Sequence, residues 1–195
     1  MKKKSFASNL KTIIIAIALV ALVLFYVKNL SDGSAKRRTQ KQATELEQLM
    51  NYNMSLDYPN TPRDVAKLHN RYLKMFYTTD LGDDELITLN DKVRSLYCRE
   101  LLSVNPIESS VPNLKKDIEK VKKSDYQYKS YSLPEASQVQ YFTKDGCEMA
   151  TLDVVITVDM SDKTIGYMTI QYFLIKENEV WKIYGWGGAK EPAVM

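Results

Sequence analysis

Hydrophobic residues are arranged in three ways along the chain, and each arrangement predicts a different kind of structure. Residues 12–27 are apolar without interruption. From about residue 61 to residue 122, apolar residues recur every three or four positions, the period of an amphipathic helix. From about residue 126 to residue 186 they largely alternate with other residues, as in a β-strand with one buried face. This order predicts a membrane segment, then helices, then a sheet.

The uninterrupted apolar run at residues 12–27 predicts a transmembrane anchor. Sixteen residues at about 1.5 Å each cover roughly 24 Å of a hydrocarbon core that is about 30 Å thick. Leu10 and the aliphatic stems of Lys11 and Lys28 extend the run to the lower end of the spanning range. We assign the contacts with the lipid bilayer to Ile13, Ile14, Ile15, Leu19, Leu22, Leu24 and Phe25.

Two alternatives to an uncleaved anchor remain at this point. A cleaved signal peptide also has a basic start and an apolar core of this length. Small residues at positions 33–35 could serve for cleavage, but they lie late and behind the charges of Lys28 and Asp32. A buried core helix is the other alternative. No cysteine closely follows the run, so the sequence does not predict a lipoprotein.

The orientation of the anchor is predicted from the length of its flanks, because basic residues lie on both sides in nearly equal number. A short basic N-terminus tends to stay inside, whereas long domains translocate largely regardless of charge. We therefore predict a cytoplasmic tail at residues 1–11 and an extracytoplasmic C-terminal domain at the cell membrane. The outer basic cluster would lie near lipid headgroups or a cell-wall polyanion, or it is simply a solubilising segment.

A polar connector is predicted at residues 28–60. Its middle part carries Ala43, Leu46, Leu49 and Met50 at helical spacing, but so short a helix is not stable alone. It either packs on the domain that follows or on a neighbouring chain.

Three helices are predicted after the connector. The first begins with Thr61 as N-cap and Pro62 at the first helical position. Its apolar stripe consists of Val65, Leu68, His69, Tyr72, Met75 and Phe76. The second is predicted at residues 84–103, where Asn105 and Pro106 end it. The third is predicted from Pro112 to about residue 122, with five lysines facing outward.

Strands are predicted at residues 126–133, 139–143, 150–160, 165–175 and 180–186. The clearest alternation places Ala150, Leu152, Val154, Ile156, Val158 and Met160 on one face. Asp153 and Asp159 lie on the other face, which argues against a buried catalytic acid there. Helices followed by an antiparallel meander predict an α+β fold: an N-terminal transmembrane helix, then about three helices packed on a curved antiparallel sheet of four to five strands.

The patterned region resembles a known family. A capped helix pair, a third helix, a curved sheet and a closing hairpin with a charged turn before Val180-Trp181-Lys182-Ile183 are similar to the nuclear-transport-factor-2-like (cystatin-like cone) fold. The resemblance covers about residues 61–188, with residues 189–195 as a tail. The layout of anchor and domain also resembles small surface proteins of Gram-positive bacteria and membrane scaffold subunits of conjugation and secretion machines.

The net charge of the chain and its lack of known motifs argue against several classes of function. The net charge of +3 arises from 27 basic and 24 acidic residues spread along the chain, which does not form a nucleic-acid footprint. Cys98 and Cys147 lack metal-ligand spacing, and we expect two separate, packed thiols, with a disulfide as the alternative. The sequence has no zinc, Walker or nucleophile-elbow motif, so no metal, cofactor or catalytic residue is predicted.

The resemblance implies a pocket between the sheet and the helices, which some relatives use for isomerase or dehydratase chemistry. The candidates for lining it are His69, Tyr72, Tyr172 and Trp186. His69 is the only histidine of the chain, and a histidine on an apolar helix face is more often a packed residue than a base. The strand aromatics fill a core or form a binding face: Tyr126, Tyr128, Tyr131, Tyr141, Phe142, Tyr167, Tyr172, Phe173, Trp181, Tyr184 and Trp186.

We therefore expect a single-pass, membrane-anchored extracytoplasmic domain that binds an unknown protein or a small apolar ligand and is not an enzyme. Two alternatives are kept. One is a scaffold subunit of a secretion or conjugation assembly, and the other is a small pocket enzyme with His69 as base and Tyr72 or Tyr172 as proton donor. The sequence does not predict the oligomeric state.

Overall fold

The computed structural model describes residues 44–188 and 193–194. Helices precede an antiparallel sheet, which confirms the α+β class. The α-helices among the described residues are α1 (Glu45–Met50), α2 (Pro62–Thr78), α3 (Asp83–Arg94), α4 (Arg99–Val104) and α5 (Ile107–Lys122). The strands are β1 (Tyr126–Ser132), β2 (Gln140–Lys144), β3 (Cys147–Met160), β4 (Ile165–Glu177), β5 (Val180–Gly187) and β6 (Ala193–Val194).

Helix α2 forms as its sequence predicts. The hydroxyl of Thr61 accepts a hydrogen bond from the backbone N–H of Asp64 at 3.1 Å and thereby caps the helix. The six residues of the predicted apolar stripe are all buried. This helix therefore supplies the central part of the core against the sheet.

The predicted helix at residues 84–103 is interrupted. Helix α3 ends at Arg94 and α4 begins at Arg99. Between them, the N–H of Ile183 donates to the carbonyl of Leu96 at 2.7 Å, and the N–H of Cys98 donates to the carbonyl of Ile183 at 2.9 Å. The prediction of one continuous helix was wrong because the backbone of these residues forms hydrogen bonds with strand β5 instead of continuing the helix.

Helix α5 begins earlier than predicted, at Ile107 instead of Pro112, which lies inside the helix. The first turn is held on α3, since the amide of Asn90 donates to the hydroxyl of Ser110 at 2.9 Å. This tertiary contact stabilises the turn that precedes Pro112, so the helix begins before the proline that was expected to start it.

The sheet has the strand order β1-β3-β4-β5, and β2 pairs with β3 while β6 pairs with β4. Alternation in β3 is as predicted: Ala150, Leu152, Val154, Ile156 and Val158 are at most 3% exposed. Asp153 and Asp159 are exposed on the opposite face. We call the face that carries these two carboxylates the outer face of the sheet. The inner face packs on the helices.

The compact unit begins at Glu45, earlier than the predicted boundary at residue 61. Leu49 of α1 is completely buried in the core, and the Arg71 guanidinium binds the carboxylate of Glu45 at 2.7 Å. The hydroxyl of Tyr58 donates to the carbonyl of Trp181 at 2.9 Å. The helical part of the predicted connector therefore packs on the domain that follows it.

No helix among residues 44–188 combines the length and the apolar character that a membrane span requires. The predicted anchor at residues 12–27, the basic tail before it and the start of the connector lie outside the described residues. The predicted C-terminal tail at residues 189–195 contributes β6, where Val194 pairs with Gly166 of β4.

Candidate functional site

The predicted pocket residue His69 lies in the middle of α2 and is completely buried. Its Nδ1 atom is 2.8 Å from the hydroxyl of Tyr172, and its Nε2 atom is 3.3 Å from the hydroxyl of Tyr97. The side-chain amide of Asn70 donates to the Tyr172 hydroxyl at 2.9 Å and to the carbonyl of Ala66 at 2.8 Å. Both imidazole nitrogens are therefore engaged within the protein.

The hydrogen bonds are compatible with either tautomer of a neutral His69. Each phenol donates one hydrogen bond and accepts up to two, and the Tyr172 oxygen already accepts one from the Asn70 amide. Burial lowers the pKa of His69 to about 3, and burial raises the pKa of each of the Tyr172 and Tyr97 phenols above its ordinary value. All three groups are neutral at pH 7.

Trp186 completes this aromatic group. Its ring centroid lies 4.9 Å from that of His69, 5.5 Å from that of Tyr97 and 6.4 Å from that of Tyr172. The indole is 40% exposed, so it separates the histidine from solvent. Space around the imidazole is filled by rings, an arrangement typical of a packed histidine.

Tyr72, the fourth predicted pocket residue, is not part of the group around His69. It is completely buried, and its hydroxyl has no hydrogen-bond partner among the described residues. Burial raises the pKa of this phenol, and the nearby phenol of Tyr52 acts in the same direction. The structure thus brings three of the four predicted pocket residues into contact: His69, Tyr172 and Trp186.

Asn70 and Tyr97 belong to the site but were not predicted for it. Tyr97 reaches His69 because the chain leaves the helical path after Arg94, and the apolar pattern gives no sign of that departure. Asn70 offers a weak signal, since it is a polar neighbour of a histidine on a buried helix face. Its Oδ1 atom is buried without a partner among the described residues.

A cavity of about 150 Å³ lies beside this group. Its lining includes Tyr77, Asn90, Arg94, Tyr97, Asn113 and Trp186. Ligand sites in proteins commonly measure about 300–1,000 Å³, so this cavity accommodates only a few atoms. Burial raises the pKa of Tyr77 to about 12, which keeps its phenol a hydrogen-bond donor at neutral pH.

One group of side chains among the described residues has the donor atoms of a metal site. Cys98, Glu100 and Glu177 place their sulfur and carboxylate oxygens within 4.8 Å of one another. The sulfur of Cys98 accepts the N–H of Leu101 at 3.3 Å and so caps α4, which is a structural role.

The two thiols are separate, as expected. Cys98 is buried and Cys147 is exposed, and both are free. The alternative of a disulfide was wrong, because Cys98 is buried beside Ile183 of β5 whereas Cys147 lies exposed at the start of β3. The expectation that both thiols are packed holds for Cys98 alone.

The outer face of the sheet exposes apolar side chains. Phe142 is 42% exposed, Ile165 is 41% exposed and Phe173 is 36% exposed. Strand register places them on the same face as Asp153 and Asp159, because Phe142 pairs with Met149, Phe173 with Thr151 and Ile165 with Asp159. Phe142 and Phe173 lie on the two strands that flank β3, beside Met149 and Thr151, whereas Ile165 lies at the other end of β4. Exposed apolar side chains that lie close together, as Phe142 and Phe173 do, are typical of an interaction surface.

Sequence comparison assigns the chain to a family. The model of the family described as Domain of unknown function (DUF6715) matches residues 1–186, and the chain belongs to this family. The matched region includes the apolar run at residues 12–27 as well as α1 to α5. No curated protein and no solved structure matches the chain.

Proposed function

We propose that this DUF6715 protein is a single-pass membrane protein whose extracytoplasmic α+β domain binds a partner through the outer face of its sheet. The observation that carries the proposal is the exposure of Phe142 and Phe173, which lie close together on that face. Leaving large apolar side chains in water costs free energy that a bound partner recovers. The anchor in this proposal is supported by the uninterrupted apolar run at residues 12–27.

The surroundings of His69 inside the domain favour a binding role over a catalytic role. A general base must reach the substrate proton directly or through one water molecule. Both nitrogens of His69 are instead occupied by Tyr172 and Tyr97, and Trp186 packs on the ring.

We also propose that the domain is nuclear-transport-factor-2-like. The packing of the helices on one face of the sheet supports this proposal.

Topology is tested by labelling the exposed thiol of Cys147 with a membrane-impermeant maleimide in intact cells. We expect labelling without permeabilisation, and no labelling of a Cys147→Ser variant because Cys98 is buried. Labelling that requires permeabilisation would place the domain in the cytoplasm. Intact mass spectrometry of the membrane fraction then distinguishes a retained anchor from a cleaved signal.

Binding through the outer face is tested with a photo-crosslinking amino acid at position 173 in the full-length protein. A matched control carries it at position 56, since Leu56 is 81% exposed and lies in the loop before α2. We expect adducts from position 173 at much higher yield than from position 56. An adduct of twice the protein's mass would indicate self-association, as in a scaffold subunit. Equal yields at the two positions would contradict the proposal.

A further inference from the structure

A gap in strand pairing opens a cleft on the outer face. Strands β1 and β2 pair with the same edge of β3, but the β2 ladder ends at Thr151 and the β1 ladder ends at Val155. Residues 152–154 therefore have no strand partner on that edge in the described part of the chain. The cleft measures about 410 Å³, within the range of about 300–1,000 Å³ for small-molecule sites.

The wall of this cleft is held in place by the rest of the domain. The guanidinium of Arg63 donates to the carbonyl of Pro134 at 2.7 Å. The side chain of Gln138 accepts the N–H of Glu135 at 2.8 Å, and Val139 is anchored in the core. A wall that is already ordered lowers the entropic cost of binding.

The lining of the cleft is rich in uncharged hydrogen-bonding groups. They are the side chains of Ser137, Gln138, Gln140, Thr151 and Gln171, and the carboxylate of Asp153 lies among them. The amide of Gln171 donates to the carboxylate of Asp153 at 3.1 Å, which orients both groups. The side chains of Gln140 and Thr151 take no part in hydrogen bonds among the described residues, so they are available to a ligand.

This lining selects a class of ligand. Amide groups both donate and accept hydrogen bonds, and so do the hydroxyl groups of a sugar. The cleft has one carboxylate and no basic side chain in its lining, which disfavours phosphate and other anions. A wholly apolar ligand would leave the polar groups unpaired.

An aromatic ring lies next to the cleft. Phe173 follows Gln171 by two positions on the same strand and pairs with Thr151, so all three side chains share the outer face. The ring is 36% exposed, and an exposed aromatic ring offers an apolar surface on which the C–H groups of a sugar ring can pack.

We propose that the outer-face cleft binds a neutral oligosaccharide. Asp153, Gln171 and Gln140 hydrogen-bond its hydroxyl groups, and Phe173 packs on a sugar ring. An extended peptide added to the open edge of β3 is disfavoured, because only residues 152–154 lack a partner and strand addition depends on a series of main-chain hydrogen bonds. The inference rests on the proposed partner-binding role of the outer face.

The test is calorimetric titration of the full-length protein in lipid nanodiscs with three probes: chitotetraose, cellotetraose and maltotetraose. We expect saturable binding of at least one probe. Asp153→Ala, Gln171→Ala and Phe173→Ala should each weaken that binding by about tenfold, the effect of losing one or two hydrogen bonds or a ring contact. Thr169→Ala is the matched control, since this exposed residue lies on the same face of β4 beyond the cleft lining.

Absence of saturable binding with all three probes at millimolar concentration would overturn the inference. It would also be overturned if the cleft variants bound a probe as tightly as the Thr169→Ala control. Either result, combined with persistent crosslinking of a protein at position 173, would leave the proposed function standing without its sugar ligand. Sugar binding by a protein whose Cys147 is not labelled in intact cells would instead contradict only the topology.

Discussion

The Nδ1 atom of His69 lies 2.8 Å from the hydroxyl of Tyr172, so a hydrogen bond joins the middle of helix α2 to the middle of strand β4. The Asn70 amide binds the same hydroxyl at 2.9 Å. Both ends of this contact are completely buried. A polar connection inside an apolar core has well-defined geometry, so it helps to set the position of the helix on the sheet.

Replacing Tyr172 with phenylalanine should destabilise the protein by about 1–3 kcal/mol. The ring stays in place, but His69 and Asn70 each lose a partner in a buried environment. The measurement is urea unfolding of the variant and the wild type. Tyr184→Phe is the control, because Tyr184 is 46% exposed and surface changes of this kind stay within about 0.5 kcal/mol. Equal effects of the two substitutions would contradict a structural role for the Tyr172 hydroxyl.

Stability should fall below pH 6.5 because of His69. Its pKa is lowered from 6.5 to about 3 by burial, so the unfolded chain binds a proton that the folded chain does not bind. The stabilisation is complete above the unfolded pKa and is lost as the pH falls towards the folded pKa. Between pH 7 and pH 5 the expected loss is about 2 kcal/mol.

The control for this pH dependence is His69→Phe, which removes the only histidine of the chain. Urea unfolding of both proteins at pH 7, 6 and 5 gives the comparison. The wild type should lose stability over this interval, and the variant should lose about 2 kcal/mol less. Parallel curves for the two proteins would show that the imidazole has the same pKa in the folded and the unfolded chain, which would contradict the prediction.

Leu49→Ala should cost about 2–5 kcal/mol, the effect of removing a large side chain from a packed core. Leu49 belongs to the core although it precedes the predicted start of the domain. Denaturant unfolding checks the loss, with Leu56→Ala as control because Leu56 is 81% exposed. An unchanged midpoint for Leu49→Ala would mean that α1 does not pack on the domain in solution.

The two thiols should differ in reactivity with a chromogenic disulfide reagent. Cys147 is exposed and Cys98 is buried, and burial raises the pKa of the Cys98 thiol, which lowers the population of its reactive thiolate. We expect one thiol to react in the native protein and two to react after unfolding in urea. The Cys147→Ser variant should show no rapid reaction. A rapid reaction in that variant would show that Cys98 is accessible.

The sheet could be predicted from sequence because alternation has a strict consequence. A strand has a period of two, so a slip of one residue would expose all the apolar side chains of β3. The exposed positions of Asp153 and Asp159 followed from this rule. The buried stripe of α2 could be predicted for a similar reason, since its period matches one face of a helix.

The candidate site could be predicted only in part. The helical period continues from Leu96 to Leu101, so the sequence gives no sign that β5 recruits the chain between them and thereby brings Tyr97 to His69. The cleft beside Asp153 depends on where two different strands stop pairing with β3. Such offsets arise from the tertiary arrangement of the loop between β1 and β2, and composition or periodicity does not report them.

The pairing of Leu96 and Cys98 with Ile183 has a consequence for solubility. Unpaired strand edges are templates on which other chains add strands and aggregate. At Ile183, both the N–H and the carbonyl on the outer edge of β5 are bonded within the chain. The segment at residues 96–98 therefore occupies the edge of β5 and prevents another chain from pairing with Ile183. Substitutions that loosen it should promote aggregation before they unfold the core.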